Sequence, residues 1–249
     1  MTKIPGKTAH KIYEQKWFVE SVSVVPPVIA AGYAAFAANA NPNTAASVPW
    51  LLLGIIWLIV ASLVKILQAF QQDKEVAVRN AHEGLVAASH VLHASVLRKA
   101  NLSSKSGELR VTVHRVVPPI DSPKSYEQLI PYVGGSGGPS FRSFPIHTGI
   151  TGRVAREGNP LIYTRINDDY DAYLKELVAH WGYTDAEARK LLQDRKSWMA
   201  VPIFSVEHVV LAVVYLDSST KDVFTTEIKQ LVIDSCGGFA AHITERYKS

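Results

Sequence analysis

Residues 48–64, VPWLLLGIIWLIVASLV, carry no charge, and the apolar run continues past Lys65 to residue 70. A helix rises ~1.5 Å per residue, so about 20 such residues cross a ~30 Å hydrocarbon layer. The pattern predicts a membrane-spanning helix with Trp50 at an interface and Lys65 snorkelling toward the headgroups. Residues 21–38 are also free of charge but Ala-rich and interrupted by Pro26-Pro27. The prolines predict a kink or a late helix start. The small residues Ala30, Ala31, Gly32, Ala34, Ala35 and Ala38 let a second helix approach closely. The two segments are therefore expected to pack as a transmembrane hairpin over 21–70.

Beyond residue 70 the pattern is that of a water-facing domain. No proline or turn cluster interrupts the chain before Lys99, and Val78, Leu85 and Leu92 recur every seven residues with Ala81 and Ala88 between them. That is the seam of a helix that packs on its own domain or on a second copy. Residues 108–117 alternate, with Leu109, Val111, Val113 and Val117 on one face and Arg110, Thr112 and His114 on the other, which predicts a strand. A weaker strand is expected at 126–133, then a Gly-rich loop, a short helix at 153–157 stopped by Gly158, and a strand at 160–164. Two helices follow, one capped by Asn167 or Asp168 and ending near Gly182, the other opened by a Thr184-x-x-Glu187 capping box. Residues 199–204 and 209–216 read as an apolar hairpin whose second strand is continuous enough for the sheet centre. From Thr225 a last helix carries the stripe Ile228, Leu231, Val232, Ser235, Phe239, His242 and Ile243.

Charge fixes the orientation. Up to residue 70 there are five lysines and two glutamates, while the remainder holds 21 basic and 20 acidic residues, close to neutral. The pI near 9.0 thus comes from a basic leader, and no basic stripe marks the domain as a nucleic-acid binder. Lys3, Lys7, Lys11 and Lys16 precede the first apolar segment, Lys65, Lys74 and Arg79 close the second, and the connection between them has no charge. The positive-inside bias places both ends and the domain in the cytoplasm, with the hairpin in the inner (cell) membrane. A secretory signal cleaved near Ala38-Asn39-Ala40 is the alternative for the first segment; the second would still deliver residue 71 onward to the cytoplasm. Cys236 is the one cysteine, which excludes an internal disulfide, a thiolate zinc cluster and a CxxC pair.

The succession FPIHTGITGRVAREGNPLIYT, SWMAVPIF and VVLAVVYLDSSTKDVFTTEIKQLVIDSCGGFAAHI resembles the GAF domain family over about residues 75–247. The resemblance implies an α+β fold: a six-stranded antiparallel sheet with helices on one face, joined by terminal helices that commonly form a homodimer, here preceded by two transmembrane helices. It also implies a small-molecule pocket between the sheet's other face and residues 142–198. The chain accordingly divides into a basic cytoplasmic leader (1–20), the hairpin (21–70), a connecting helix (71–100) that is also the domain's first helix, and the GAF domain (101–249).

For an anionic ligand the candidates are Arg142, His147 and Arg165, with Tyr170, Tyr173 and Trp198 as aromatic walls. Relatives that bind cyclic nucleotides carry an Asn-Lys-Phe-Asp-Glu signature. Here Lys221 and Phe224 match it and Glu227 stands near the acidic place, but the Asn position reads Asp or Ser, so a cyclic nucleotide is only one ligand among several. Relatives that reduce methionine sulfoxide need several cysteines; Cys236, expected in the core, has no exchange partner and is poorly placed to attach a bilin. His82, His90 and His93 share a helix and are expected to be interfacial or solvated. The expectation is therefore no enzyme, no catalytic residues, no metal site and no identifiable cofactor. Three roles remain open: a ligand sensor coupled to the lipid bilayer, a membrane-disrupting effector of a bacterial defence system gated by the domain, and a scaffold recruiting a protein partner.

Overall fold

The computed structural model describes residues 16–40, 47–103, 107–120, 122–135 and 140–246. Lys3, Lys7 and Lys11 of the expected leader, most of the expected hairpin connection, Ser136–Gly138 of the Gly-rich loop and the side chain of Trp50 lie outside them. The chain divides into two compact units whose sequences meet at Arg79 and Asn80.

The first unit consists of α1 (Lys16–Ala40) and the opening part of α2 (Ser47–Lys99). Leu52–Ala69 in α2 is, among the described residues, the one helix long and apolar enough to cross a membrane, and none of it is buried. The apolar part of α1, Val22–Ala37, is shorter. The helices meet along small residues: Ala30 and Ala34 are buried, and a Cβ on Gly54 would stand 3.6 Å from that of Ala30. Both prolines stay inside α1. Pro26 has no N–H for the carbonyl four residues back, and that carbonyl, on Val22, accepts the indole N–H of Trp57 at 2.8 Å.

The second unit is built on a six-stranded sheet in the order β3-β2-β1-β6-β5-β4, antiparallel throughout. The strands are β1 (Leu109–Val116), β2 (Ser125–Gln128), β3 (Ser143–Pro145), β4 (Leu161–Thr164), β5 (Ser197–Phe204) and β6 (Val210–Ser218). The helices between them are α3 (Gly149–Glu157), α4 (Tyr170–Trp181) and α5 (Asp185–Ala188), and α6 (Thr226–Arg246) closes the domain. Alternation along the strands makes two cores. Leu109, Val111 and Val113, with Met199, Val201, Ile203, Ala212, Val214 and Leu216, face α2 and α6, meeting Leu85, Leu92, Val96, Ile228, Val232 and Phe239. Trp198, Ala200 and Val213 face the opposite way, onto Ile150, Val154, Tyr173, Leu177 and Trp181 of α3 and α4. Helices thus cover both faces of the sheet, not one.

Most of the expected elements are present, and the differences have local causes. The strand expected over 126–133 pairs continuously only to Gln128, with Val133 rejoining β1 through a single bridge to Val111. The short helix expected at 153–157 begins four residues earlier, at Gly149, whose φ of +71° lies in the left-handed region that favours glycine. The cap of α4 is Asp169, whose carboxylate accepts the Ala172 N–H at 2.8 Å, rather than Asn167 or Asp168. The Thr184–Glu187 capping box is present in both directions, and Gly158 and Gly182 end their helices in the left-handed conformation.

Candidate functional site

Strand register assembles the site. Arg110 stands opposite Asp217, Asp217 opposite Trp198, and Trp198 opposite Tyr163, so four side chains form one row across β1, β6, β5 and β4. All four line a cavity of about 90 Å³. Above them stand Ile150 of α3, Tyr173, Leu177 and Trp181 of α4, and then Tyr183, Leu191, Leu192 and Arg195; Tyr132 and Tyr215 complete the wall. Three of the rings are stacked in series. Trp198 lies between Tyr163 and Tyr173, 5.5 and 5.8 Å between centroids, and Trp181 meets Tyr163 edge to face at 4.8 Å.

One carboxylate organises the charge. Asp217 is 1% exposed; it accepts both arms of the Arg110 guanidinium, Nε at 2.7 Å and Nη2 on the other oxygen. Nη1 of Arg195 approaches the same carboxylate at 3.4 Å and also donates to the Gly107 carbonyl at 2.6 Å, while the far side of that guanidinium engages Asp194. A bidentate pair of this kind satisfies both oxygens in fixed geometry. Burial pulls the Arg110 guanidinium toward neutrality, but the hydrogen bond and charge of Asp217 outweigh it and leave its pKa raised. Arg110 also lies over the Tyr132 ring, 4.2 Å from its centroid, a cation–π contact. Burial raises the hydroxyls of Tyr132, Tyr173 and Tyr215, and that of Tyr183 to about 12, so all four are protonated at neutral pH.

Two residues of the wall bury a polar atom without a hydrogen-bond partner, Tyr163 Oη and Trp181 Nε1, neither with surface open to the cavity. The entrance to α3 is similarly unfinished: Thr148 caps it with no side-chain bond, its Oγ1 is buried and unpartnered, and its carbonyl accepts the Tyr126 hydroxyl instead. Gly149 is tightly placed, since a Cβ there would stand 2.4 Å from the Tyr183 hydroxyl.

Of the residues singled out in the sequence, Tyr173 and Trp198 line the cavity. Arg165 is buried beneath Tyr173, 4.2 Å from the ring centroid, but its donors go to the carbonyls of Asn167, Asp168, Asp169 and Gln193. It clamps the entrance to α4. Arg142 is exposed and donates to Gln128 Oε1. His147 is exposed and Tyr170 half-buried, and neither lines the cavity. Lys221, Phe224 and Glu227 are used elsewhere, in an ion pair with Asp168, in the core under α6 and in an ion pair with Lys99. Sequence reasoning missed Arg110, Arg195 and Asp217. The available signal was Asp217 itself, an acidic side chain at an inward position of an otherwise apolar strand.

The histidines of α2 have ordinary surroundings. His93 Nε2 lies 3.0 Å from the Leu109 carbonyl, and His90 is exposed. Cys236 is buried, with its Sγ on the Val232 carbonyl, and burial pushes its thiol up to about 12.

The site therefore belongs to an α+β domain with a partly open, largely aromatic cavity between the sheet and its covering helices. Among solved structures the chain is similar to the GAF domain of an Acinetobacter phosphoenolpyruvate-protein phosphotransferase, with 11% identity over 72% of this chain and 95% of that one and a TM-score of 0.45. It is also similar to the GAF domain of a two-component sensor histidine kinase from Bacillus halodurans (12%, 64% and 96%, TM-score 0.42) and to a type II free methionine-R-sulfoxide reductase from Thermoplasma acidophilum (12%, 65% and 96%, TM-score 0.42). No protein-family profile matches the sequence, and none of the curated proteins does. At these identities and scores the likeness says nothing of ligand or activity. It does correct one expectation. The sequence analysis expects no enzyme, yet similar structures include free methionine-R-sulfoxide reductases, so a fold of this kind is compatible with catalysis.

Proposed function

We propose that this chain is a membrane-anchored sensor whose GAF-type domain holds a small molecule in the cavity between β1, β4, β5, β6 and the α3–α5 cover. The observation that carries the reading is the cavity itself, in which aromatic walls surround a few polar groups, Arg110, Arg195 and Asp217 among them. Interiors are packed nearly as densely as organic crystals. A void walled by rings and charged groups in such an interior is better explained by a guest than by poor packing. Its volume, about 90 Å³, is far below the ~300 Å³ at which drug-sized pockets begin. The reading thus favours a ligand smaller than a nucleotide. The anchor is the exposed apolar helix Leu52–Ala69.

The test is a fragment screen by ligand-observed NMR on the full chain in detergent, with Leu177→Trp as the cavity-filled control. Small fragments are expected to bind and to lose binding in the control. A screen without hits, or hits indifferent to the filled cavity, refutes the sensor reading.

A further inference from the structure

The cavity lies on one face of the sheet and α2 packs on the other, yet one short stretch of chain touches both. Past β2 the chain stays beside β1, held by two hydrogen bonds between Val133 and Val111, 2.8 and 2.9 Å. Tyr132 lines the cavity, with the Arg110 guanidinium over its ring. Gly135 lies against the stem of the same arginine, where a Cβ would stand 2.6 Å from Arg110 Cδ. Between them Gly134, at a φ of +89°, meets α2: a Cβ there would stand 2.0 Å from His93 Nε2 and 2.3 Å from the Leu109 carbonyl oxygen. The Gly134 carbonyl accepts the Gly107 N–H at 2.8 Å, and the Gly107 carbonyl accepts from Arg195, again a residue of the cavity wall.

His93 is fixed against this stretch. A carbonyl can only accept, so Nε2, 3.0 Å from the Leu109 oxygen, carries the proton and donates it. Burial holds the imidazole below its ordinary pKa of 6.5, which keeps the ring neutral at neutral pH. His82, earlier on α2, meets the Phe141 ring at the far end of the β2–β3 connection, 6.4 Å between centroids. Packed interiors compress little and transmit strain, and Gly134 has no side chain that could yield. A displacement of Tyr132 or of the Arg110 stem therefore reaches His93 directly.

We infer that Tyr132–Gly135 is the joint through which occupancy of the cavity is passed to α2, the His93–Leu109 hydrogen bond being the contact that it makes or releases. The inference rests on the sensor reading and names its transmitting element. A guest acts through the joint only by favouring one of its two arrangements, bond made or bond released.

The experiment fills the cavity by substitution. Leu177→Trp, with Leu177→Phe as the milder filling, puts a ring into the cavity from α4. The His93 Nε2–H resonance is then followed in the ¹⁵N-labelled full chain in detergent. Both fillings are expected to shift it, Trp further than Phe, and the shift is expected to be lost when Tyr132→Ser removes the ring by which the stretch reaches the cavity. A resonance unmoved by either filling, or one that shifts as far in the Tyr132→Ser background, overturns the joint and leaves the sensor reading standing. A responsive His93 in a chain that binds no fragment in the screen above keeps the joint, and the sensor reading alone fails.

Discussion

At the scale of single residues, the charge at Asp217 is the costliest to disturb. Replacing it with Asn keeps the shape but leaves the largely buried Arg110 guanidinium facing a neutral amide, while Arg195 keeps only Asp194 as a carboxylate partner. Removing one partner of a buried pair costs about 3–5 kcal/mol, so Asp217→Asn is expected to lower the denaturant midpoint sharply, and a midpoint within experimental error of the wild type contradicts the ion-pair argument. His114 makes a separate case. It is fully buried among Tyr126, Phe144 and Tyr215, and burial, helped by the nearby charge of Arg142, depresses its pKa to about 3. Between that value and the ordinary 6.5 the unfolded chain binds a proton that the folded one refuses. The stability owed to a neutral His114 is therefore complete above pH 6.5 and falls as the pH drops from 6.5 toward 3. A His114→Phe variant should lose less stability than the wild type across that window, as measured by urea denaturation at a series of pH values. Cys236 gives a simpler check: buried and with its thiol near 12, it should resist alkylation at pH 8 in the folded chain and react on unfolding.

At the scale of elements, helix caps and strand alternation were legible, because each depends on residues a few places apart. The Thr184–Glu187 box and the apolar β6 are examples. The row Arg110–Asp217–Trp198–Tyr163 was not, because it exists only once strands more than 100 residues apart fall into register. For the same reason the loop arginines looked more available than they are; Arg165 seemed a ligand donor until its four carbonyl partners were in view. The proline pair in α1 was legible as a defect but not as a joint. Pro26 frees the Val22 carbonyl, and Trp57 supplies the missing donor from the other helix. In a lipid environment that carbonyl has no water to turn to. Trp57→Phe should therefore destabilise the helix pair by about 0.6–2 kcal/mol. Pro26→Ala, which restores the helix's own N–H, should remove most of that penalty. A double-mutant cycle by unfolding in mixed micelles measures the coupling, and independent effects would mean that the indole merely packs against α1.

At the scale of the whole molecule, the question is what covers the outside of the first unit. Val24, Val25, Val28, Ile29 and Phe36 on α1, and Leu53, Ile56, Ile59, Leu63 and Leu67 on α2, are all about half exposed or more, while the helices meet at Ala30, Ala34 and Gly54 and at the Trp57–Val22 hydrogen bond. A water-soluble helix pair is built the other way round, with its large apolar residues inside and charge outside. An apolar surface of this extent on a soluble chain would drive aggregation, which supports the proposed membrane anchor. The 18 residues of Leu52–Ala69 rise about 27 Å, close to the thickness of a bilayer's hydrocarbon layer. The full chain should therefore remain in the membrane fraction after alkaline carbonate washing. Ile59→Arg places a charge near the middle of the span, where insertion costs about 2.5–3.5 kcal/mol more, and should release a substantial share of the chain while leaving the second unit's fold intact, because none of the core around Asp217 is drawn from residues before Asn80. A chain that washes off as readily as a peripheral protein, with or without that arginine, would place these two helices against another protein surface and not in lipid.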